Sequence, residues 1–404
     1  MEQITIDRLG HQGDGVAQGR GEVFVPYTLP GEVVELTAEG DLHAVLQPSE
    51  QRITPVCKHF GTCGGCAVQH ASDAFVAEWK VNVVRRALSA RGIDMKVGGI
   101  ATSPPRSRRR AVFGGRRTRK GITVGFHQRG SNTLIAIEEC AVIDPKIFAA
   151  IPVLEELTAI GASRTAAIRL SVTLSAAGLD VLVEEARELE PTMLPQLAEI
   201  AGRHDLARLT WNDEVIVNAS PPMQRMGKAR IVPSPGAFLQ ATPHGQAALV
   251  ATVKQAVGNA SRVIDLFAGC GTFALPLAEQ AEVLAVENDG PMLAALDLAW
   301  RRTDGALHRI TTDRRDLFRR PLLASEMKGY DAVVIDPPRV GAAAQVQELT
   351  LSAVPVIAFV SCNPVTFARD AEVLIKAGYR MGPVRVIDQF RWSPHVELAV
   401  TFTR

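Results

Sequence analysis

The second half of the chain, from about residue 237 onward, alternates between stretches typical of β-strands and stretches with helical periodicity. Apolar runs such as RVIDLF, EVLAVE, YDAVVIDP and VIAFVS are interspersed with helical patterns, including those at 244–257 and 364–377. Strands joined in this way pair largely in parallel, and the helices then cover both faces of the sheet. The pattern therefore predicts an α/β domain over residues 237–404.

The first of these strands leads into a glycine-rich turn. In VIDLFAGCGTF, at residues 263–273, a buried strand passes through Asp265, Gly269 and Gly271 form the turn, and a helix follows. Glycines let the backbone turn sharply and come close to a nucleotide-like ligand. The next strand ends in Glu287, where a carboxylate can accept hydrogen bonds from both hydroxyl groups of a ribose.

A third strand, DAVVIDPP, ends in Asp336, so acids and glycines gather at the edge of the sheet where open α/β sheets bind ligands. The spacing differs from the dinucleotide fingerprint GxGxxG, because Ala274 stands in place of the third glycine. D-x-F-x-G-x-G followed by an acid after the second strand resembles the S-adenosylmethionine site of class I methyltransferases. The alternative is a strand–turn–helix in which the acids are incidental.

A cysteine follows another strand of the same sheet. VSCNP, at 360–364, puts Cys362 where the strand VIAFV ends and a helix begins, and a helix N-terminus lowers the pKa of a thiol. The alternative is a small buried cysteine with no chemical role. A thiolate at this position suits methyl transfer to carbon 5 of uracil, because its addition to carbon 6 makes carbon 5 nucleophilic. A base must then remove the carbon 5 proton, and Glu397, in SPHVELAVTFTR, is the candidate.

DLFAGCGTF, VEN, IDPPR and SCNPVTFARD, in that order and followed by HVE, are similar to the uracil-C5 RNA methyltransferase family. The resemblance covers essentially the whole chain and implies a class I, Rossmann-like methyltransferase domain that uses S-adenosylmethionine. It assigns the nucleophile to Cys362 and the base to Glu397. Thr272 is a departure, since relatives often carry Asn there, and IDPPR replaces the DPAR of some relatives. The expected cofactor-binding residues are Gln240, Phe267, Gly269, Gly271, Thr272, Glu287, Asp316 and Asp336.

Four of the six cysteines form a candidate metal site. Cys57, Cys63 and Cys66 give C-x5-C-x2-C, and Cys140 follows further along the chain. Four thiolates suit an iron–sulfur cluster or zinc, and the spacing does not choose between them; nearby His59 keeps a mixed zinc site open, as does His70. The same arrangement in related ribosomal RNA enzymes holds a [4Fe-4S] cluster, so the resemblance implies that cluster, in a structural or RNA-positioning role.

The net charge of +1 conceals a basic strip at residues 101–137, which holds nine basic residues and no acidic ones. A basic strip on a mildly acidic body is typical of a protein that binds a polyanion, although a solvated, partly disordered loop is the alternative. We expect RNA contacts from Arg108, Arg110, Arg116 and Arg117. The basic residues of the strip are Arg106, Arg108, Arg109, Arg110, Arg116, Arg117, Arg119, Lys120 and Arg129.

The N-terminal residues predict a small β unit, because short alternating runs are separated by glycine-rich turns. The pattern suits a small barrel and resembles a TRAM domain, an RNA-binding module of some family members. The expected organisation is a TRAM-like, OB-like β-barrel at 1–52, an α+β domain with the cysteines and the basic strip at 53–236, and the methyltransferase domain at 237–404. A helix at 72–91 can also pack on the last of these.

The resemblance favours 23S ribosomal RNA over tRNA as the substrate, because the tRNA branch lacks both the TRAM domain and the cluster cysteines. Alternatives are a tRNA uridine-C5 methyltransferase, an amino-group methyltransferase, a cytosine-C5 methyltransferase and a non-catalytic RNA-binding or RNA-folding protein. No apolar run approaches a membrane span and MEQITIDRLG is unlike a signal peptide, so a cytoplasmic location is expected. No obligate protein partner is inferred, and the sequence identifies neither the target uridine nor the oligomeric state.

Overall fold

The structure is a computed structural model that describes residues 2–18, 21–119 and 121–404. Lys120 of the basic strip lies outside the described residues. Within them, no helix is long and apolar enough to cross a lipid bilayer.

Short strands dominate the first two thirds of the described chain, and strands alternate with helices in the last third. The strands are β1 (Glu2–Thr5), β2 (Arg8–Leu9), β3 (Gly15–Gln18), β4 (Glu22–Val25), β5 (Val33–Leu36), β6 (Leu42–Gln47), β7 (Val97–Thr102), β8 (Arg110–Thr118), β9 (Gly121–His127), β10 (Leu134–Ala136), β11 (Ile168–Ser175), β12 (Gly178–Glu184), β13 (Leu206–Trp211), β14 (Glu214–Asn218), β15 (Gln224–Met226), β16 (Ala229–Ile231), β17 (Arg262–Leu266), β18 (Glu282–Glu287), β19 (Ile310–Arg314), β20 (Ala332–Ile335), β21 (Val356–Ser361), β22 (Arg380–Met381), β23 (Val384–Asp388) and β24 (Glu397–Thr403). The helices are α1 (Asp73–Ser89), α2 (Pro145–Phe148), α3 (Ile151–Gly161), α4 (Leu194–Arg203), α5 (Pro243–Val257), α6 (Ala274–Leu277), α7 (Gly290–Arg301), α8 (Ala343–Leu351) and α9 (Pro364–Lys376), with a 3-10 turn at Pro191–Met193.

The C-terminal sheet confirms the predicted α/β fold. Its strand order is β19-β18-β17-β20-β21-β24-β23-β7, with β22 paired to β24. Strands β17 to β21 pair in parallel, whereas β24 runs antiparallel to both of its neighbours. All four residues of β20 are buried, as expected for a strand that is covered on both faces. The strand order reverses between β17 and β20, and a crevice for a ligand opens at such a reversal.

Residues 73–102 lie before the basic strip in the chain but pack against the C-terminal sheet. Helix α1 begins at Ser72, whose hydroxyl accepts a hydrogen bond from the N–H of Phe75. Its side chains Val84 and Leu88 are fully buried in the same core as β20 and β21. Strand β7 then pairs in parallel with β23 and becomes an edge of the sheet. The helix at 72–91 therefore packs on the C-terminal domain, as the sequence allowed, and β7 joins it there, which the sequence did not suggest.

The N-terminal and central regions each form their own sheets. Strands β1 to β6 make two three-stranded antiparallel sheets, and these share a core that includes Ile6, Val25 and Val34. The central sheet has the order β10-β9-β8-β11-β12-β13-β14, with α3 and α4 packed against it. The described part of the basic strip therefore includes two paired strands, β8 and β9, rather than a disordered loop.

Candidate active site

The turn after β17 has a backbone that requires glycine. Gly269 and Gly271 have φ angles of 54° and 90°, a region that side-chain-bearing residues rarely adopt. A Cβ on Gly271 would also lie 3.0 Å from side-chain atoms of Leu275 and Leu296. Phe267 has a φ of 61° without being glycine, a conformation that costs on the order of 1 kcal/mol and is common at ligand sites. Because the glycines carry no side chains, the backbone of the turn at the carboxyl end of β17 is accessible to a ligand.

Three predicted cofactor residues, Glu287, Asp316 and Phe267, are held at this edge. The Glu287 carboxylate accepts hydrogen bonds from the backbone N–H groups of Gly269 at 3.0 Å and of residues 288 and 289 at 2.6 and 2.9 Å. Asp316, after β19, accepts one from the N–H of Phe318 at 2.9 Å. The rings of Phe318 and Phe267 lie 5.5 Å apart, and Phe318 is 47% exposed. Thr272 is half-buried at the entry to α6.

Two carboxyl groups, the fully buried Asp265 and the half-buried Asp336, lie at the carboxyl ends of β17 and β20. Burial raises the pKa of Asp336 to about 7, and burial together with the charge of Asp336 raises the pKa of Asp265 well above its usual range. Neither Asp265 oxygen has a hydrogen-bond partner at normal geometry among the described residues. The backbone N–H of Ala274 lies near enough to lower the pKa of Asp265 to some extent, but it makes no hydrogen bond of normal geometry with the carboxyl group. A buried carboxylate without a hydrogen-bond partner can bind a cationic group or an N–H group of a ligand.

A chain of buried side chains joins Asp336 to Glu397. Gln240 donates from Nε2 to Asp336 Oδ2 at 3.5 Å, at the limit of a hydrogen bond. Gln389 donates from Nε2 to Gln240 Oε1 and to Glu397 Oε2, both at 2.5 Å, while its Oε1 accepts from the N–H of Ala241 at 2.7 Å. Gln389 is not among the site residues that the sequence predicted. Its signal was a polar residue directly after the apolar strand VRVID, at the edge that carries the other site residues.

Cys362 lies half-buried in the same cleft, at the junction of β21 and α9. Asn363 fixes the junction, because its side chain accepts a hydrogen bond from the N–H of Val365 at 3.1 Å and donates one to the carbonyl of Arg339 at 2.8 Å. Burial raises the pKa of the Cys362 thiol to about 11, the charges of Glu397 and Asp336 add to this, and Arg339 opposes it. The expected lowering of the thiol pKa by the helix N-terminus is therefore wrong, because desolvation and the two acids outweigh it.

Glu397, the first residue of β24, is only 4% exposed. Burial raises its pKa to about 8, the charge of Asp336 contributes, and the hydrogen bond from Gln389 acts in the opposite direction. The charges of Glu397 and Asp336 thus act on the pKa of Cys362, and the charge of Asp336 also acts on the pKa of Glu397. Several displaced pKa values in a cleft are typical of a catalytic site rather than of a surface ion-pair network. The arrangement offers the thiol of Cys362, the carboxyl group of Glu397, with a pKa of about 8, and the carboxyl group of Asp336, with a pKa of about 7.

The four predicted metal ligands line a separate cavity of about 240 Å³. Cys57, Cys63, Cys66 and Cys140 are all free thiols, and burial raises the pKa of Cys66 to about 12. His59 lines the cavity too, whereas His70 does not. Among the described residues, no group of three or more His, Cys, Asp or Glu side chains is arranged to hold a metal ion. The four thiols nevertheless line one cavity, which is the placement that either a zinc ion or an iron–sulfur cluster would require.

The basic strip does not form one uniform surface. Arg108 lines the cysteine cavity, and its guanidinium lies 5.9 Å from the centre of the Phe390 ring. Arg109 is buried and donates to the carbonyl of Gln240 at 3.0 Å, so it holds the backbone of a predicted cofactor residue and does not face solvent. Arg110 is half-buried and donates to the carbonyl of residue 236 at 3.0 Å. Of the four predicted RNA contacts, Arg117 is exposed and Arg116 is half-buried on β8.

The chain is similar in sequence to known RNA methyltransferases. A family model described as tRNA (uracil-5-)-methyltransferase matches residues 182–404. An uncharacterized RNA methyltransferase of Rhizobium meliloti is 44% identical over 411 residues, which cover 99% of each protein. The 23S rRNA (uracil(1939)-C(5))-methyltransferase of Pseudomonas fluorescens is 33% identical over 428 residues, covering 99% of this chain and 94% of that protein.

Among solved structures, the tRNA (uracil-54, C5)-methyltransferase of Pyrococcus abyssi, in complex with S-adenosyl-L-homocysteine, matches with a TM-score of 0.75. The two chains are 22% identical, and the match covers 99% of each. At that identity the likeness shows a shared fold over the whole length.

Proposed function

This chain belongs to the uracil-C5 RNA methyltransferase family, and we propose that it transfers a methyl group from S-adenosylmethionine to carbon 5 of a uridine in RNA, most readily 23S ribosomal RNA. The observation that carries the proposal is the pairing of β21 with β24, in which Ser361 lies opposite Leu398, so that Cys362 and Glu397 are neighbours at one end of the two strands. A thiol and a carboxyl group beside each other are the two groups that methylation at carbon 5 of uracil needs.

Cys362 and Glu397 act in sequence on the same base. The Cys362 thiolate adds to carbon 6, and the electrons of the 5,6 double bond then make carbon 5 nucleophilic. The methyl donor supplies the electrophilic carbon when it is bound. Glu397, as the carboxylate, next takes the proton from carbon 5, the double bond re-forms, and the thiolate of Cys362 leaves. Proton uptake by Glu397 also removes a negative charge that disfavours that thiolate.

The turn after β17 and its neighbours form the proposed cofactor site. Gly269 and Gly271 keep the backbone open for a nucleoside, Glu287 faces the turn with a fixed carboxylate, and Phe267 with Phe318 offers an aromatic surface. The orphaned Asp265 carboxylate supports this assignment, because it suits the ammonium group of an amino acid moiety. The remaining proposed contacts are Gln240, Thr272, Asp316 and Asp336.

Formation of 5-methyluridine tests the function directly. The protein is incubated with S-adenosylmethionine and unmodified transcripts of 23S ribosomal RNA or tRNA, and the digested nucleosides are analysed by mass spectrometry. We expect product on the ribosomal RNA, in line with the Pseudomonas fluorescens relative. Product on tRNA alone would move the substrate to tRNA. Cofactor and RNA binding without turnover would favour a non-catalytic RNA-binding protein, and a methylated exocyclic amine would favour an amino-group methyltransferase.

The cysteine cavity is the proposed site of a [4Fe-4S] cluster. Four thiols that line one cavity match the ligand set of such a cluster, and the resemblance to the ribosomal RNA branch of the family implies that cluster rather than zinc. Cys57, Cys63, Cys66 and Cys140 would hold it, in a structural role. We expect about four iron and four sulfide per chain after anaerobic purification, and loss of both in Cys66→Ser. One zinc per chain, without sulfide, would contradict this proposal.

The exposed part of the basic strip is the proposed RNA-binding surface, together with the TRAM-like unit at 1–52. Arg117→Gln is expected to weaken RNA binding and to lower the slope of log K against log salt by about 1, since one phosphate contact is lost. Arg116, Arg108 and Arg110 are expected to show smaller slope changes, because each is partly buried. Arg302→Gln, at an exposed site beyond α7, serves as the control. An unchanged slope for Arg117→Gln would remove the strip from the RNA interface.

A further inference from the structure

Lys80, on helix α1, carries a completely buried ammonium group. All three of its N–H groups have acceptors: Asp388 Oδ1 at 2.5 Å, the carbonyl of Phe390 at 3.0 Å and the carbonyl of His395 at 2.9 Å. A buried charge is costly unless it is paired and fully hydrogen-bonded, so this contact holds its partners in one geometry. Lys80 lies on none of the surfaces proposed for the cofactor, for RNA or for the metal.

The three acceptors of Lys80 belong to one short connection. Asp388 is the last residue of β23, and His395 stands two residues before β24 begins at Glu397. Gln389, which donates to the Glu397 carboxylate, directly follows Asp388. The ammonium therefore holds the loop 388–396 near both of its ends. Gln389 lies at the first end, and Glu397, the proposed base, directly follows the second.

The middle of the same loop is held by the segment that follows Cys66. The carbonyl of Trp392 accepts hydrogen bonds from the N–H groups of Ala67 at 2.8 Å and Val68 at 3.1 Å. Trp392 itself is buried in a cluster with Val68 and Trp79. The loop lies in the C-terminal domain, but residues among the first hundred hold it: Lys80 near its start and end, and Ala67 and Val68 in its middle.

We propose that Lys80 is a positioning residue for Glu397, and that it fixes the carboxylate at the place where the carbon 5 proton must be removed. This inference rests on the proposed function. The acceptors of Lys80 are Asp388, Phe390 and His395 rather than Glu397 or Gln389, so it acts through the loop that presents those two residues. Its loss shifts this loop, and a displacement of about 1 Å can slow a proton transfer by about 100-fold. The cofactor turn and Arg117 lie on other elements, and among the described residues the loop meets the proposed cofactor and RNA residues only through Gln240 and Arg108, so we expect cofactor and RNA binding to change much less than turnover.

Lys80→Met keeps the length and the apolar stem of the side chain and removes the charge. We expect kcat to fall by about 10-fold to 100-fold, with KM for RNA and for S-adenosylmethionine within about threefold of wild type. Proton removal becomes the slow step, so an SDS-stable protein–RNA adduct should accumulate on ordinary, unfluorinated RNA. Arg85→Met removes the same charge from an exposed position of α1 and should behave like wild type.

Because Lys80→Met leaves Asp388 buried and unpaired, the double variant Lys80→Met/Asp388→Asn is measured beside it, with thermal unfolding and cofactor binding for both. A folded variant of either kind that turns over at the wild-type rate would overturn the proposal. Parallel loss of cofactor binding, RNA binding and turnover, or failure of both variants to fold, would show that Lys80 is purely structural. Absence of 5-methyluridine with wild-type protein would instead refute the proposed function on its own.

Discussion

Replacement of Cys362 by alanine is expected to abolish 5-methyluridine formation, with a fall in turnover of at least about 10,000-fold, as for the loss of a covalent nucleophile. Without addition at carbon 6, carbon 5 of uracil is too weak a nucleophile to take the methyl group, and the thiol of Cys270, in the turn after β17, is only 2% exposed. The measurement is nucleoside mass spectrometry after a long incubation.

The variant protein should remain intact in its other properties. S-adenosylmethionine binding and the unfolding temperature are expected to match wild type, since the Cys362 side chain is small, half-buried and outside the hydrophobic core clusters of the C-terminal domain. RNA that contains 5-fluorouridine gives a second readout. Fluorine cannot be removed as a proton is, so wild-type protein should form a lasting adduct and Cys362→Ala none. An adduct with the variant would assign the nucleophile to another residue.

Glu397→Gln is expected to lower turnover by about 100-fold to 10,000-fold, the usual range for loss of a general base. The amide cannot accept the carbon 5 proton, so the methylated base should stay attached to Cys362. An SDS-stable adduct with ordinary RNA should therefore accumulate, in contrast to Cys362→Ala. Glu282→Gln is the matched control, because that residue is exposed at the opposite end of β18 from the cofactor turn. Rapid product release by Glu397→Gln would exclude Glu397 as the base.

The pH dependence follows from the raised pKa of Glu397, which is about 8. Only the deprotonated carboxylate accepts a proton, so adduct breakdown by wild type should speed up as pH rises towards about 8 and then level off, whereas the rate for Glu397→Gln should stay low at every pH.

The contribution of Glu397 to the free energy of unfolding depends on pH in the opposite direction. A carboxyl group whose pKa is raised on folding stabilises the fold fully at acid pH and loses that contribution as pH rises through its folded pKa. Glu397→Gln should therefore unfold at or above the wild-type temperature near pH 9, which separates lost catalysis from lost folding.

The local features of the site followed from the sequence because each depends on neighbours in the chain. A strand pattern, two glycines and a helix pattern define the turn at Gly269 and Gly271 whatever the rest of the protein does. The acids at Glu287 and Asp336 were expected at one edge, since parallel strands end on the same side of a sheet. Cys362 was expected beside them by the same rule, and the structure brings it under the electrostatic influence of Glu397.

Other properties depend on contacts between distant residues, and periodicity carries no information about them. The helix pattern at 72–91 did not disclose that β7 would extend the C-terminal sheet, because edge pairing is chosen by the packed sheet. The exposure of each arginine in the basic strip depended on which strand face it occupied, so Arg109 became buried while Arg117 stayed exposed. The direction of the pKa shift of Cys362 was also mistaken, because desolvation arises from the whole surrounding fold.

The sequence by itself thus determined the class of fold, the family, the candidate nucleophile and base, and the cysteines that could share a metal site. Only the tertiary structure joined these parts: it linked Asp336 to Glu397 through Gln240 and Gln389, and it tied the loop before Glu397 to Lys80, which lies 315 residues before His395 in the chain. The physical reason is that chemistry-bearing residues are recognisable by type and local spacing. Their protonation, burial and mutual orientation are set by side chains that meet only after the chain has folded.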